Sequence, residues 1–421
     1  MLKKWQKRHT VLLVSFLVWN LFTYDKSIFA LAVPFIQKDL NFTELQLGFL
    51  MSAFSIGYVI SQIPGGALSD RYGPRRFMTL GIVLWSAFGS ILGFASKFIH
   101  IIVLRVLFGL GEGFMPGSYF KVIGNWFPQK EKGRATSAMF ISQYTGAILA
   151  IVLGGAIIAT LGWRWLFFLL IIPGLIMAAL AWFKVVDSPD KCKNITQEEV
   201  SEIMGDHIQE EKPTIKEIFK QLLKAPVIWK LIAIWFCYDM AMVGVSTWLP
   251  QYLINERGLS IANMAIITVL INVVGIVTPI LGGVLSDKLF KHKRNLLFII
   301  SSVLGLPFVY LSFVVQSSIL MTGCFLIATF FLATASIAFW AIPMSIVPKE
   351  IIGISSTTIN VGGQIAAIVT PALIGALITA SGGNYMYIGY VLMAGMVVAA
   401  LLSFTLFRSK AHQNQASAAV E

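Results

Sequence analysis

Charged side chains interrupt several long apolar runs of this sequence. They are Asp25, Lys26, Arg105, Glu112 and Asp239, and Lys121 follows near the end of one run. Ionised groups are costly in an apolar medium, so they face water or one another, and they mark the pathways of ions and substrates. The alternative is that opposite charges pair and hold helices together, and we expect some pairing among them. A buried ion pair is weak evidence for stability, however, so we interpret these residues as functional.

The spacing of these residues indicates how helices would present them. Adjacent residues point about 100° apart on a helix, so one of Asp25 and Lys26 can face a neighbouring helix while the other faces a cavity. Arg105 and Glu112 are two helical turns apart and share one stripe of a helix. A ridge of small residues beside this stripe lets another helix approach closely. Its members are Gly109, Gly113 and Gly117.

The composition excludes a soluble protein. Of 421 residues, 57% are hydrophobic and 12% are charged, and the mean hydropathy is +0.79. Soluble domains carry about 25% charged residues, so this chain cannot cover a water-exposed surface of its size. The net charge of +12 would suggest nucleic acid as a partner, but the basic residues lie in short gaps between apolar runs, and topology explains them better. The cysteines lack metal or redox spacing and no phosphate-binding loop occurs, so we expect neither a metal nor ATP.

Twelve apolar runs are long enough to cross a bilayer, which takes about 20 residues. They lie at 11–33, 45–68, 77–95, 98–122, 135–160, 163–183, 227–254, 261–285, 295–315, 317–346, 352–380 and 384–407. Lysine and arginine concentrate at the termini and in the even-numbered gaps, whereas the odd-numbered gaps hold only Lys38, Lys97, Arg164 and Arg257. Cytoplasmic loops carry such an excess, so we expect both termini in the cytoplasm.

The two halves of the chain repeat. Residues 65–71 recur at 282–288, and the pair 24–25 recurs at 238–239. Duplicated helical units are how secondary transporters obtain two faces that rock about a central site. We expect a first six-helix bundle over 1–184, a cytoplasmic linker with short amphipathic helices over 185–225, and a second bundle over 226–421. In the linker, Thr196 and Glu199 form a capping-box pattern, and an apolar helical face follows between 215 and 223.

A motif in the gap between the second and third runs carries a family resemblance. Residues 66–76 read GALSDRYGPRR and are similar, without a gap, to the signature of the major facilitator superfamily. Six further segments resemble one branch of it, the anion:cation symporter family, which includes bacterial transporters of galactonate, glucarate and hexuronates and animal sialin. These segments are 32–39, 62–66, 105–113, 125–136, 162–165 and 247–252. The resemblance covers nearly the whole chain and is strongest in its first half.

The resemblance implies an all-α membrane protein with twelve helices in two pseudo-symmetric bundles of six. It also implies that the motif forms a cytoplasmic charge latch, made in one state of the protein and broken in another. The residues of this gate are Gly66, Asp70, Arg71, Gly73, Arg75 and Arg76, with Asp287 in the second-half copy. Asp70 can pair with a basic residue or with a helix N-terminus. The alternative is that the arginines only fix the topology.

Members of the family that the sequence resembles use two acids to carry protons and a neighbouring basic residue to bind the substrate carboxylate. The resemblance assigns proton coupling to Asp25 and Glu112, and carboxylate binding to Lys26, where the family has arginine. The family tyrosine stands two residues before the aspartate, whereas Tyr24 stands one before. The resemblance carries over no general counterpart of Asp239; it is a third candidate for proton coupling, or it neutralises Lys26.

Further side chains are candidates for substrate contact. The resemblance points to Tyr58, Gln143, Trp340 and Asn360 for the hydroxyl groups or rings of a sugar acid, with Arg105 as a second basic residue. Interhelical hydrogen bonding is the alternative for the polar members of this set.

Together these observations favour a secondary transporter over an enzyme. We expect proton-coupled uptake of an organic anion, a sugar acid or another monocarboxylate, with the proton as coupling ion and no other cofactor. We expect a monomer in a bacterial cell membrane, whose partners are the lipid bilayer and the small anion. The alternative with the same fold is a proton antiporter that exports a cationic drug. The charge of Lys26 and the lack of a Gly-Pro-rich signature in the fifth run count against it.

Overall fold

Twelve long helices dominate the computed structural model of this protein, which describes residues 5–192, 195–204, 225–288, 294–343 and 352–418. They are α1 (Lys7–Leu40), α2 (Glu44–Tyr72), α3 (Pro74–Phe94), α4 (Phe98–Trp126), α5 (Gln129–Leu161), α6 (Trp163–Lys184), α7 (Pro226–Glu256), α8 (Ile261–Lys288), α9 (Arg294–Val314), α10 (Ser318–Ala341), α11 (Ile352–Ala380) and α12 (Met386–Ala418). Each contains a segment that is long and apolar enough to cross a membrane. The expected all-α protein with twelve spanning helices is confirmed, and the cytoplasmic location of the termini stays a prediction.

Helix α4 is broken at Gly113 into the segments Phe98–Glu112 and Phe114–Trp126. The cause is Pro116, which has no N–H to donate to the carbonyl of Glu112 four residues earlier. A missing hydrogen bond of this kind kinks a helix at the preceding turn. The break therefore follows Glu112 directly, in the middle of a spanning helix.

The chain divides into two compact units, Met1–Glu210 with Leu253–Thr268 and Glu211–Tyr252 with Val269–Glu421. In the first unit, α1 packs on α5, α2 on α4, and α3 on α4 and α6. In the second unit, α7 packs on α11 and α12, and α9 packs on α10 and α12. The first helix of each half thus contacts the fifth, and the third contacts the fourth and the sixth. These shared contacts are the internal arrangement that duplication of a six-helix unit produces.

The ridge of glycines on α4 lets α2 approach to backbone contact, so the predicted close approach of another helix is confirmed. A Cβ added at Gly109 would lie 2.1 Å from the carbonyl oxygen of Phe54. One added at Gly117 would lie 2.5 Å from the Cα of Gly66. Side chains larger than hydrogen would force the two helices apart at both levels.

A short linker helix, Gln197–Met204, is docked on the first unit. The hydroxyl of Thr196 accepts a hydrogen bond from the N–H of Glu199 at 3.3 Å, which is one half of the predicted capping box. The Glu199 carboxylate instead accepts from the N–H groups of Lys7 at 3.2 Å and Arg8 at 2.9 Å. A carboxylate is favourable at a helix N-terminus, so α1 begins at Lys7, before the apolar run that predicted it.

Arg8 joins the linker helix to two spanning helices. It is 1% exposed, its Nη2 donates to Glu202 at 2.9 Å, and its Nη1 lies 3.5 Å from a carboxylate oxygen of Glu131 at the start of α5. The beginning of the linker is therefore part of the first unit. Residues 205–224, with the apolar face predicted at 215–223, lie outside the described residues.

We expect Gly109→Ala to destabilise the protein, because the added Cβ would meet the Phe54 carbonyl oxygen at 2.1 Å. Overpacking of this kind costs about 1–3 kcal/mol. The matched control is Gly124→Ala on the same helix, where nothing lies within 4 Å of an added Cβ. Alanine has the higher helix propensity, so the control should keep its stability or gain some. Thermal unfolding of the purified variants in detergent measures the difference, and equal melting temperatures would contradict a role of the close approach in stability.

Candidate functional site

Asp25 and Lys26 on α1 have different surroundings. Asp25 is 2% exposed, and its Oδ2 accepts a hydrogen bond from Nε1 of Trp85 on α3 at 2.8 Å. Lys26 is exposed, and its Nζ lies 5.6 Å from the centre of the Phe54 ring on α2. Neighbouring positions on one helix thus hold an enclosed carboxyl group and an exposed amine.

Glu112 is enclosed at the break in α4. It is 0% exposed, and neither of its carboxyl oxygens has a hydrogen-bond partner among the described residues. Oδ1 of Asp25 also lacks a partner there. An ionised carboxylate without a partner is costly in an apolar interior, so these surroundings suit groups that exchange a proton. Within the same described ranges, His, Cys, Asp and Glu form no group of three or more that could hold a metal ion.

Arg105 is surrounded by aromatic rings and a backbone carbonyl. Arg105 is 5% exposed, and its guanidinium lies 3.8 Å from the centre of the Phe29 ring and 4.9 Å from that of Phe54. Its Nε donates to the carbonyl oxygen of Leu50 at 3.2 Å. The oxygens of Glu112 have no hydrogen bond to it in the part of the chain that the structure describes. Aromatic faces and a carbonyl replace the carboxylate as partners of this cation.

Tyr58 and Gln143 lie on helices of the first unit. The centre of the Tyr58 ring on α2 lies 5.8 Å from that of Phe54, the ring that Lys26 and Arg105 both contact. On α5, the hydroxyl of Thr23 from α1 donates to the carbonyl oxygen of Ser142 at 3.2 Å. The next residue, Gln143, is exposed and makes no hydrogen bond within the described ranges. Interhelical hydrogen bonding, its alternative role, is therefore not seen for Gln143.

Aromatic rings surround Trp235 on α7 in the second unit. Its neighbours are Tyr238 at 5.3 Å, Phe339 at 4.9 Å and Trp340 at 4.9 Å between ring centres. The predicted substrate residue Trp340 is thus one member of a larger group. Sequence reasoning missed Trp235, and its place one helical turn before Asp239 is the signal that could have found it.

Asp239 lies against α11 at Gly363. A Cβ added at Gly363 would lie 2.8 Å from Oδ2 of Asp239 and 2.6 Å from Nε1 of Trp235. Asn360 is three residues earlier on α11, which places it on the same helical face as Gly363. Packing of α7 on α11 therefore brings two of the predicted residues to one interface within the second unit.

Asp70 at the end of α2 forms an ion pair with Lys121 on α4, with 3.0 Å between Oδ1 and Nζ. Of the two partners left open by the sequence, the structure has the basic residue. Arg71 lies 5.2 Å from the centre of the Tyr72 ring, and Arg76 is exposed. The pair Asp70–Lys121 is the part of the predicted latch that lies inside the first unit.

Asp187, which sequence reasoning missed, caps the N-terminus of α3 within the motif. Its Oδ1 accepts a hydrogen bond from the backbone N–H of Arg75 at 3.0 Å. Gly73 has a φ of +94°, and a Cβ there would lie 2.5 Å from the same carboxylate oxygen, so the motif requires glycine twice over. An acid three residues after the end of α6 was the available signal. The side chain of Asp287, in the second-half copy, lies outside the described residues.

For the transport that the resemblance implies, we expect Asp70→Asn to slow turnover by about twofold to fivefold, the scale of an exposed ion pair, with little loss of ligand affinity. Lys121→Gln should have the same effect and the double variant no larger one, because both substitutions remove one ion pair. The control is Asp39→Asn, which breaks an exposed ion pair between Asp39 at the end of α1 and Arg164 at the start of α6. Initial rates and ligand binding are measured separately. Lost affinity with unchanged turnover would contradict a gating role.

Comparison with known proteins gives the family. The chain matches the family described as Major Facilitator Superfamily over residues 15–371. The “Hexuronate transporter” of Bacillus subtilis (strain 168) is 33% identical over 291 residues, which cover 68% of this chain and 67% of that protein. The “Probable galactarate/D-glucarate transporter GudP” of the same organism is 30% identical over an alignment of 428 residues, with 96% of this chain and 92% of that protein covered.

Solved structures have the same fold. A bacterial homologue of the human lysosomal transporter Spinster superposes with a TM-score of 0.78 at 18% identity, over 95% of this chain and 97% of that one. The D-xylose-proton symporter superposes with a TM-score of 0.74 at 20% identity, over 94% and 97%. The match of the family, the relatives and the twelve spanning helices agree with one another. The chain therefore belongs to the major facilitator superfamily of transporters, as a multi-pass protein of the cell membrane and not an enzyme.

Proposed function

We propose that this protein takes up an organic anion together with protons, by alternating access, and that the anion is a sugar acid or another monocarboxylate. The observation that carries the proposal is the contrast on α1 between exposed Lys26 and buried Asp25, with buried Glu112 on α4. An exposed amine suits a carboxylate ligand, and enclosed acids suit protons. The names of the relatives, which describe transporters of sugar acids, support the same class of substrate.

The number of basic residues favours one carboxylate per substrate. Lys26 is the only lysine or arginine in the middle third of any of the twelve long helices, and Arg105, in the first third of α4, is enclosed by aromatic rings. One accessible amine matches one carboxylate, as in a hexuronate, better than the two of galactarate or glucarate. Tyr58, Gln143, Trp340 and Asn360 remain predicted contacts of the hydroxyl groups and the sugar ring.

The coupling follows from the cost of charge in an apolar interior. Protons from outside neutralise Glu112 and Asp25, which lets Lys26 hold the substrate carboxylate without competition from these acids. The lower proton activity inside then favours loss of the protons and release of the anion. Asp239 is a third candidate for a proton. The same-fold alternative, export of a cationic drug, is disfavoured because exposed Lys26 would repel a cation.

Uptake by proteoliposomes tests this function. We expect D-glucuronate to accumulate when the lumen is alkaline and an uncoupler to abolish the accumulation, with monocarboxylates competing more strongly than galactarate. Lys26→Ala should abolish uptake, and Lys26→Arg should keep part of it because the charge remains. The matched control is Lys38→Ala, an exposed lysine at the far end of the same helix, which should transport normally. Uptake by Lys26→Ala at the wild-type rate would show that Lys26 does not bind the anion.

Glu112→Gln separates binding from coupling, because glutamine resembles the protonated acid permanently. We expect this variant to bind substrate and exchange it in counterflow, but to bring it only to equal concentrations on the two sides of the membrane. Asp25→Asn should be at least as severe, since Asp25 adjoins Lys26. Counterflow and proton-driven uptake are measured in the same proteoliposomes. Full accumulation by Glu112→Gln would make Glu112 a structural residue and leave coupling to Asp25 or Asp239.

A further inference from the structure

Trp85 on α3 lies where it holds one oxygen of Asp25 in place. Its indole N–H donates to Oδ2 of Asp25 at 2.8 Å, whereas Oδ1 has no partner among the described residues. Trp85 is 0% exposed and Asp25 is 2% exposed, so protein encloses this hydrogen bond. The two oxygens of one carboxyl group therefore have different surroundings.

Helix α4 fixes the position of Trp85. A Cβ added at Gly111 would lie 2.7 Å from the backbone nitrogen of Trp85, so α3 and α4 are in contact at this level. The next residue along α4 is Glu112. The ring of Phe22, one turn before Asp25 on α1, packs edge-on against Trp85 with 6.3 Å between ring centres. Trp85 therefore contacts both α1, which carries Asp25, and the backbone of α4 next to Glu112.

The chemistry of the indole limits what Trp85 can do. An indole N–H donates a hydrogen bond and does not accept one, so Trp85 cannot take a proton from Asp25. A carboxyl oxygen accepts from this N–H when the group is ionised, and the carbonyl oxygen of the protonated group accepts as well. The hydrogen bond at Oδ2 therefore persists in both states of Asp25, which leaves Oδ1 as the oxygen that gains and loses the proton.

We propose that Trp85 is a positioning residue for proton coupling, which holds Oδ2 of Asp25 so that the proton binds and leaves at Oδ1. This inference rests on the proposed function, in which Asp25 carries a proton.

Charged and titratable side chains also lie on the helices around this site. They are Tyr24 and Lys26 on α1, Tyr58 on α2, Arg105 and Glu112 on α4, Tyr144 on α5, and Arg164 and Lys184 at the ends of α6. None of them hydrogen-bonds Asp25 within the described ranges, where Trp85 is its side-chain partner.

Trp85→Phe tests the proposal because it keeps a buried ring and removes the N–H. We expect the alkaline limb of the pH profile of proton-driven D-glucuronate uptake to move upward by about one pH unit, the scale of one hydrogen bond to a charged group. The direction follows because the N–H stabilises the ionised carboxylate, so its loss lets Asp25 keep its proton to higher pH. Counterflow should stay near the wild-type rate, since no substrate contact is removed.

The matched control is Trp126→Phe. Trp126 is also 0% exposed and donates from Nε1 to the carbonyl oxygen of Val186 at 2.7 Å, so this variant loses a similar hydrogen bond away from Asp25. Its pH profile should match that of the wild type. Trp85→Tyr keeps a donor on the ring and should fall between the wild type and Trp85→Phe, and it decides the matter if Trp85→Phe does not fold.

The outcomes distinguish this inference from the proposed function. If wild-type uptake does not depend on the proton gradient, the proposed function is overturned, whatever the Trp85 variants do. If wild-type uptake is proton-driven and the folded Trp85 variants keep the wild-type pH profile, the positioning role is wrong. A shift in Trp126→Phe as large as that in Trp85→Phe would overturn it as well.

Discussion

Helices α2 and α4 touch where Gly109 lies against the carbonyl of Phe54, and the surroundings of the charged groups in the first unit depend on this contact. It places the Phe54 ring 4.9 Å from the guanidinium of Arg105 and 5.6 Å from Nζ of Lys26. An aromatic face compensates a buried cation for part of its lost hydration. A larger residue at Gly109 would move that ring, so the glycine serves the burial of charge as well as the packing of helices.

Neither buried acid of this unit forms a hydrogen bond or an ion pair with the buried base Arg105 among the described residues. Arg105 is satisfied by rings and by the carbonyl of Leu50, so it does not hydrogen-bond Glu112. Asp25 has one donor, Trp85, and Glu112 has none among the residues that the structure describes. An ion pair that only holds helices together would have neutralised each acid permanently. Without such a pair a proton can neutralise each acid, which supports the proposed coupling.

Two carboxylates of the segment after α6 cap helices of the first unit. Asp187 accepts from the N–H of Arg75 at the start of α3, and Glu199 accepts from the N–H of Arg8 at the start of α1. Negative charge at a helix N-terminus opposes the helix dipole and satisfies backbone donors that lack a helical acceptor. The linker as far as Met204 is therefore a structural part of the first unit, and the gate motif is anchored to it through α3.

Hydropathy and periodicity by themselves determined the twelve spans, the duplication, the glycine ridge and the set of charged residues at the candidate site, because each of these is a local or repeated pattern. Which partner each charge has depends on how the helices pack. Trp85 is 60 residues from Asp25, and Glu199 is 191 residues from Arg8. The spacing of Arg105 and Glu112 left the partner of Arg105 open, and rings from two other helices surround its guanidinium. The physical reason is that a helical period reports which face of a helix is polar, whereas the packing of whole helices selects the neighbour that the face meets.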